Sequence, residues 1–210
     1  MLHVRQSPIA INLASHRLTV RTVNYHDSHR LAAYYSENQA YLQPWEPKRD
    51  ATYCLAEGWQ MRLKAIEAMQ QQGTLRAFIL LNANDGELLG IINFSHIIKG
   101  DFCACYLGYS LAQKAQGQGL MHEGLQLALG YMFQQQQMHR IMANYMPNNL
   151  RSGNVLKRLG FEREGYAKDY LRINGQWQDH ILTSLLSHQW QKSNKLSSQL
   201  VTSSDKKAHR

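Results

Sequence analysis

The sequence changes from helical to strand periodicity at about Thr74, and this change constrains the fold more than any other feature. Three runs follow that are apolar or alternate apolar with polar residues, TLRAFILLN, ELLGIINFSHII and FCACYLGYSL, and the first turn between them is at Asp85-Gly86. Such runs with short connections are typical of antiparallel strands. Before them, an apolar stripe at helical spacing predicts a long core-facing helix. It consists of Leu55, Trp59, Leu63, Ile66 and Met69.

The segment before this stripe predicts one strand and one helix. Alternation over 17–23 favours an opening strand, and DSHRLAAYYSEN, 27–38, favours a helix with Asp27 at its cap position. A Pro-rich loop, YLQPWEPKRD, then ends at Asp50, which we expect to cap the long helix.

The second half of the chain alternates between helices and strands. A helix follows the glycines at 117 and 119, a strand is predicted at 139–146, and a helix is predicted from Asn149 to a stop at Gly160. The last two strands meet at Asn174-Gly175, a strong hairpin signal. This order predicts an α/β (α+β) fold with a central mixed, mostly antiparallel sheet flanked by helices.

Length and charge suggest one domain and a tail. A chain of 210 residues can bury a sizeable core in one domain, which we expect over 1–190. The last twenty residues, 191–210, hold five Lys or Arg and one Asp, about half of the net charge of +8. Their polar composition predicts a disordered basic tail, and its charge is compatible with contact to RNA or a ribosome.

Cysteine, histidine and hydropathy patterns argue against several classes of protein. Three cysteines without framework spacing predict reduced thiols and a cytoplasmic location. The ten histidines include no His-x-x-x-His pair, and the chain has no Cys-x-x-Cys, so we expect no metal centre. Apolar runs fall far short of the roughly 20 residues of a membrane span, so we expect no membrane contact. The oligomeric state stays open.

The segment QKAQGQGLMHEG, 113–124, places Gly117 and Gly119 directly before a helix. Glycine permits sharp turns and a close approach of the backbone to a ligand. A helix N-terminus carries free N–H groups and partial positive charge, which bind phosphate. From these residues alone, two interpretations stay open: a loop that caps a helix, and a phosphate-binding loop.

The order of elements resembles the acetyl-CoA-dependent N-acetyltransferases of the GNAT superfamily, over about residues 15–190. That family's pyrophosphate motif is Gln or Arg, two residues, Gly, one residue, then Gly or Ala. It corresponds here to Gln116, Gly119 and Met121, so that Met replaces the final small residue. The resemblance implies the GNAT fold and acetyl-CoA as cofactor.

A second family motif corresponds to Asn149, Ser152 and the Leu-Gly-Phe at 159–161. The segments PWEP, ACYLGYS, HRIMANYMP and LGFEREGYAKDYL resemble more specifically the ribosomal-protein-alanine N-acetyltransferases. This implies transfer of acetyl to the N-terminal alanine amine of a small-subunit ribosomal protein, by direct attack on the thioester. Two alternatives stay open: an acetyltransferase for a small amine, and a ribosome-assembly or RNA-binding factor with secondary catalysis.

The resemblance places the cofactor site around the glycines. Backbone amides of the loop would surround the pyrophosphate at the start of the helix. The strand before the loop is expected to separate from its neighbour near 108–111, which would free an N–H group for the thioester carbonyl. The implied cofactor-binding residues are Tyr109, Ser110, Leu111, Gln116, Gly117, Gln118, Gly119, Leu120, Met121, Asn149 and Ser152.

Catalytic and peptide-binding roles are implied for a smaller set. Ser152 would donate a hydrogen bond to the departing thiolate or simply pack as a small residue, and Asn149 would hold the cofactor or cap its helix. Many members of the superfamily carry Glu where this chain has Tyr106, so we expect no carboxylate base there. A terminal amine, with a pKa of about 7.7 to 8.0, needs only a weak base. Glu46 is the candidate to bind the peptide amine, or else an ordinary loop carboxylate, and Trp45 and Tyr106 would line the slot.

Overall fold

Residues 10–192 are described in a computed structural model, and their strands form one eight-stranded sheet. The strands are β1 (Asn12–Ala14), β2 (Leu18–Thr22), β3 (Arg76–Asn82), β4 (Leu88–Ile98), β5 (Ala104–Leu111), β6 (Arg140–Met142), β7 (Glu162–Ile173) and β8 (Gln176–Leu186). The α-helices are α1 (Ser28–Leu42), α2 (Ala56–Gln71), α3 (Leu120–Gln134) and α4 (Leu150–Arg158), and residues 187–192 are also helical.

The sheet is mixed but mostly antiparallel, as the sequence predicts. Its order is β1-β2-β3-β4-β5-β6-β8-β7, and only the β5–β6 neighbours run parallel. Within residues 10–192, no helix is long and apolar enough to cross a membrane. The same range contains no group of three or more His, Cys, Asp or Glu side chains suited to a metal ion.

Strand β3, in the interior of the sheet, is buried on both faces because helices cover the sheet on each side. Phe78 and Leu80 are fully buried and lie against α3, where Phe78 meets the ring of Tyr131 edge-on at 5.9 Å. Ile79, whose side chain points to the other face, is equally buried. Each such side chain contributes about 1.5 to 3 kcal/mol by leaving water, so β3 anchors the sheet that carries the site.

Three local details in the first part of the chain differ from the sequence prediction. The short strand β1 precedes the predicted opening strand. Asp50 does not cap the long helix: it caps a separate 3-10 turn at Ala51–Cys54, because the backbone of Leu55 is extended (φ −117°, ψ 136°) and interrupts the helical path. Asp27 stands at the start of α1, but its side chain makes no capping bond to the backbone of that helix. It pairs with the guanidinium groups of Arg21 and Arg30 instead.

The strand predicted at 139–146 is shorter than expected. Regular pairing ends at Met142 and is resumed only by an isolated bridge between Tyr145 and Ile181. Between them, the side-chain oxygen of Asn144 accepts the Thr183 N–H at 3.3 Å, in place of a backbone carbonyl. The polar side chain therefore breaks the ladder.

The stripe predicted to face the core is only partly buried, because Leu55 precedes α2 and is 51% exposed and Met69 is 38% exposed. The other predicted helices and strands are present. Asn149 caps α4 through its side-chain oxygen, and Gly160 ends that helix with a φ of +87°. Asn174 and Gly175 both have positive φ, 45° and 85°, as a two-residue hairpin turn requires. The single domain over 1–190 stays a prediction, and of the basic tail predicted at 191–210, residues 193–210 lie outside the described residues.

Candidate active site

The glycine-rich loop connects β5 to α3. Gly117 and Gly119 have φ values of +73° and +74°, a left-handed conformation that strains any residue with a side chain. Apart from the two residues next to each glycine, no atom of residues 10–192 lies within 4 Å of the position that a Cβ would take at Gly117 or Gly119. Gly119 is the N-cap of α3 and no side chain caps that helix, so its first N–H groups are available to an anion. This open, uncapped start fits a pyrophosphate.

Helix α1 holds the end of β5 and the loop through three polar side chains spaced along one face. The helix thus fixes the loop by contacts that span about 75 residues of sequence. The pairs are Tyr34 with the Ser110 hydroxyl (2.9 Å), Asn38 with the Gln113 backbone N–H (2.9 Å), and Tyr41 with the side-chain amide of Gln116.

Gln116 also connects the loop to α4. Its side-chain oxygen accepts a hydrogen bond from the Arg151 guanidinium at 2.9 Å, while its amide group donates to Tyr41. Arg151 lies in the first turn of α4 and lines the same cleft as the glycines. Arg151 therefore places a positive charge beside the loop that fits the pyrophosphate. The two sequence motifs do not include this residue.

Strands β5 and β6 diverge where the resemblance implies. Their parallel pairing ends at Tyr106 and Met142, whereas β5 remains paired with β4 as far as Leu111. From Leu107 onward, the edge of β5 that faces β6 therefore has no strand partner among the described residues. Backbone N–H groups on this edge are free to meet a carbonyl oxygen.

A cleft of about 1190 Å³ occupies this divergence and brings together thirteen of the fourteen residues that the resemblance implies. Gln118 is the exception. Its side chain donates to the carbonyl oxygen of Lys114, and its own carbonyl oxygen accepts a bond from Arg17. The residues that line the cleft are Trp45, Glu46, Tyr106, Tyr109, Ser110, Leu111, Gln116, Gly117, Gly119, Leu120, Met121, Asn149 and Ser152.

Ser152 and Tyr109 form a polar pair inside the cleft. Their hydroxyl oxygens are 2.8 Å apart, and the side-chain oxygen of Asn149 accepts the Ser152 backbone N–H at 3.1 Å. Burial raises the pKa of Tyr109 to about 12, although the Ser152 bond opposes this shift. The phenol is therefore a neutral donor at physiological pH. Asn149 caps its helix through this bond and also lines the cleft.

Glu46 is a half-buried carboxylate beside the cleft. Burial raises its pKa, and the nearby Arg49 guanidinium, whose Nε lies 3.2 Å from Oε2, opposes this shift. Arg49 stacks over the ring of Tyr53 at 4.6 Å, which fixes the cation. The Glu46 carbonyl oxygen accepts the Asn174 N–H at 2.9 Å, so the tip of the β7–β8 hairpin is tied to this loop.

The peptide slot, which is the part of the cleft around Tyr106, contains residues that the sequence did not predict. Tyr106 is 38% exposed, and its ring meets His96 edge-on at 6.0 Å. Asn144 and Tyr170 line the same cleft and are joined by a hydrogen bond of 2.9 Å. Tyr170 lies on β7 and Asn144 lies just beyond the end of β6, and no motif in the sequence connects the two.

Comparisons with known proteins agree with this geometry. The acetyltransferase (GNAT) domain family matches residues 17–162. The [ribosomal protein uS5]-alanine N-acetyltransferase of Escherichia coli K12 is 52% identical over 190 residues, which are 90% of this chain and 98% of that protein.

Solved structures show the same likeness. The ribosomal-protein-S5-alanine acetyltransferase of Vibrio fischeri has a TM-score of 0.82 at 37% identity, over 86% of this chain and 98% of that one. Mycobacterium smegmatis RimJ, solved in complex with CoA-disulfide, has a TM-score of 0.77 at 25% identity, over 88% and 94%. The chain belongs to the GNAT acetyltransferases, enzymes that take their acetyl group from acetyl-CoA.

Proposed function

We propose that this enzyme acetylates the N-terminal alanine amine of a ribosomal protein in the cytoplasm, with uS5 as its substrate. The similarity to the E. coli enzyme of that name covers nearly all of both chains. The observation that carries the proposal is that one cleft joins an open, uncapped phosphate site at Gly119 to a slot that contains Glu46 and Tyr106.

The residues on the cofactor side of the cleft would bind acetyl-CoA and orient its thioester. Acetyl-CoA, when bound, supplies the thioester that the amine attacks. Loop amides and the start of α3 would hold its pyrophosphate, and Arg151 would add a positive charge on the α4 side. A free N–H on the edge of β5 would polarise the thioester carbonyl, and losing one such donor typically costs about 3 kcal/mol of barrier.

Ser152 and Tyr109 serve the leaving sulfur. The Tyr109 hydroxyl lies 2.8 Å from Ser152 Oγ and 3.2 Å from the Ser152 carbonyl oxygen. When the phenol donates to Oγ, the serine proton is left to point into the cleft. Ser152 then donates a hydrogen bond to the sulfur as negative charge develops on it. A bond formed to a developing charge lowers the barrier more than it strengthens binding.

The peptide half attracts the amine and lets it lose its proton. Glu46 pairs with the terminal ammonium as the peptide enters. An α-amine with a pKa of about 7.7 to 8.0 becomes neutral far more readily than lysine, at about 10.4. With Tyr106 in place of a carboxylate base, this difference of about 2.5 pKa units favours the N-terminal amine over lysine.

The test uses three amine substrates and mass spectrometry. The first is a lysine-free peptide beginning with Ala, the second has a blocked N-terminus and one Lys, and the third is a polyamine. We expect acetylation of the first and almost none of the others. Robust acetylation of the lysine peptide or of the polyamine would assign the enzyme to another substrate class. The same Ala peptide without acetyl-CoA is the blank.

A further inference from the structure

His180 is a buried histidine of β8 in the wall of the peptide slot. Its side chain lines the cleft although the residue is only 4% exposed. The imidazole packs against the ring of Tyr170, with the ring centroids 5.3 Å apart. The Tyr170 hydroxyl accepts a hydrogen bond from Asn144 at 2.9 Å, so the histidine is joined to the side chains that form the slot.

One hydrogen bond determines which ring nitrogen of His180 carries the proton. Nδ1 lies 3.0 Å from the backbone carbonyl oxygen of Gln178. A carbonyl oxygen can only accept a hydrogen bond, so Nδ1 must carry a hydrogen and donate it. In the neutral imidazole, Nε2 therefore keeps its lone pair and is the nitrogen able to accept a proton.

Nε2 is open to the cleft. Within residues 10–192 it forms no hydrogen bond, and the buried side-chain atoms that lack a partner are Nε of Arg76 and Nε1 of Trp190. Because Nε2 is unpartnered but is not one of these buried atoms, it is accessible from the cleft that His180 lines. Histidine exchanges a proton between about pH 5 and 8, which suits it to act on a terminal amine.

The strand register places His180 beside the divergence of β5 and β6. Tyr106 of β5, Met142 of β6 and Ser184 of β8 form the last regular row across these three strands. Beyond that row, the next residue of β8 with a bridge partner is Ile181, which directly follows His180. His180 therefore borders the gap from the β8 side, opposite the free edge of β5.

Other titratable groups of the slot are paired or less firmly held. Glu46 is engaged by Arg49, whose Nε is 3.2 Å from Oε2. His96 is exposed, and its Nδ1 lies 3.2 Å from the Ser95 hydroxyl, which can donate or accept and so fixes no tautomer. The titratable and charged side chains around the slot are Glu46 and Arg49 in the loop after α1, His96 on β4, Tyr106 on β5, Tyr145 beyond β6, and Tyr170 on β7. Asp179, the neighbour of His180 on β8, instead binds the Tyr166 hydroxyl and the Asp169 N–H.

We propose that Nε2 of His180 is the general base that takes a proton from the terminal ammonium of the substrate peptide, directly or through one water. The inference rests on the proposed function and adds the base that this function needs. Two protons leave the amine nitrogen in the reaction. Nε2 takes the first, which frees the lone pair that forms the C–N bond, and returns it to solvent. The second passes to the sulfur as the C–S bond breaks.

The experiment compares His180→Asn with the wild type on the Ala-initiated peptide at several pH values. An Asn side chain can still donate to the Gln178 carbonyl, but no atom replaces Nε2. We expect kcat/KM to fall about 100-fold at roughly pH 7, as for loss of a general base, and less than threefold at roughly pH 9, where the amine arrives neutral. CoA affinity, measured by calorimetry, should change less than twofold. His188→Gln, an exposed residue outside the cleft, is the control and should match the wild type.

A loss by the same factor at every pH, or no loss at pH 7, would overturn the inference and leave the proposed function intact. So would a pH-dependent loss in His96→Gln in place of His180→Asn. If the wild-type enzyme left the N-terminus of the Ala peptide unmodified, both would fall.

A second measurement needs no variant. In a structure of the wild-type enzyme with CoA and the Ala peptide, Nε2 should lie within about 3.2 Å of the peptide nitrogen or of one water that contacts it. A longer separation, without such a water, would exclude His180 as the base.

Discussion

The hydroxyl oxygens of Tyr109 and Ser152 lie 2.8 Å apart, which joins the diverging end of β5 to the first turn of α4. The two residues are 43 positions apart in the sequence. Their bond sets the distance between the strand edge, where we propose that the thioester carbonyl binds, and the helix, where we propose that the sulfur leaves. The first prediction concerns this pair.

Replacing Ser152 with Ala should lower kcat about tenfold or more and change KM for acetyl-CoA less than twofold, because the lost bond forms mainly in the transition state. Steady-state kinetics with the Ala-initiated peptide measures both constants. Ser36→Ala, on the exposed side of α1, is the control. A variant that kept full kcat would remove Ser152 from the mechanism.

Substituting Gly119 with Val should weaken binding of CoA at least tenfold, because a branched side chain opposes the left-handed backbone and occupies the space before α3. Calorimetry gives the affinity. Gly100→Val introduces the same strain, at a φ of +77°, in a turn outside the cleft. Comparable loss of CoA affinity in both variants would assign the effect to backbone strain rather than to the site.

Peptide affinity should depend on the protonation of Glu46. Its pKa is raised by burial, so the carboxylate becomes neutral at a higher pH than an ordinary Glu, and affinity for the ammonium falls as the pH drops through that value. Calorimetry with CoA and the peptide, from roughly pH 6.5 down to 4, covers a range in which the amine stays charged.

Glu46→Gln should bind weakly throughout and show no such pH dependence, whereas Glu37→Gln, on the exposed surface of α1, should behave as the wild type. An unchanged pH profile in Glu46→Gln would place the titrating group elsewhere.

Asp27 should contribute to stability through Arg21. The carboxylate is 2% exposed, and its pKa is lowered because bonds from Arg21 and the Asn24 N–H outweigh the opposing effect of burial. Asp27→Asn removes the buried anion that accepts hydrogen bonds from the Arg21 guanidinium, whose side chain is 23% exposed, and should cost about 2 kcal/mol in urea denaturation at neutral pH.

A lowered pKa means that this stabilisation is complete above the unfolded-state pKa and is lost as the pH falls through the folded-state value. The difference between wild type and Asp27→Asn should therefore shrink in acid. Asp101→Asn, on an exposed turn, should be near neutral in effect. A difference that grew in acid would contradict the ion pair.

Removing residues 193–210 should leave acetylation of a short peptide unchanged. The described chain already ends in a packed contact, since Trp190 is 6% exposed and stacks on Phe133 at 5.8 Å. Steady-state kinetics compares the shortened and full chains on the Ala-initiated peptide. A tenfold fall in turnover would make the removed segment part of the catalytic domain.

The sequence predicts the frame of this fold where local signals agree with one another. Strand alternation and the Asn174-Gly175 turn predict the hairpins, because each depends on neighbouring residues alone. The sequence predicts Asp50 as the cap of α2 rather than of the 3-10 turn, because the same residue types cap both kinds of helix. Asn144 shortens β6 because its side chain replaces a carbonyl of the ladder, which alternation cannot show.

The site is predictable only as far as its motifs extend. The glycines, Asn149 and Ser152 are implied by the resemblance to family motifs, and they line the cleft. The partners that fix them come from distant segments: Tyr41 lies 75 residues before Gln116 in the sequence. Such contacts depend on how helices, strands and loops pack together, so they cannot be predicted from the spacing of residues in the sequence.

Helix α1 limits how this enzyme can be redesigned. Its side chains at 34, 38 and 41 hold the cofactor loop, and its C-terminal end leads directly into Trp45 and Glu46 of the peptide slot. A substitution that shifts this helix should alter the proposed binding sites of both acetyl-CoA and the peptide at once. Libraries that aim to change the accepted N-terminus should therefore spare the buried face of α1 and vary residues on β7 and β8, which reach the slot independently of the loop.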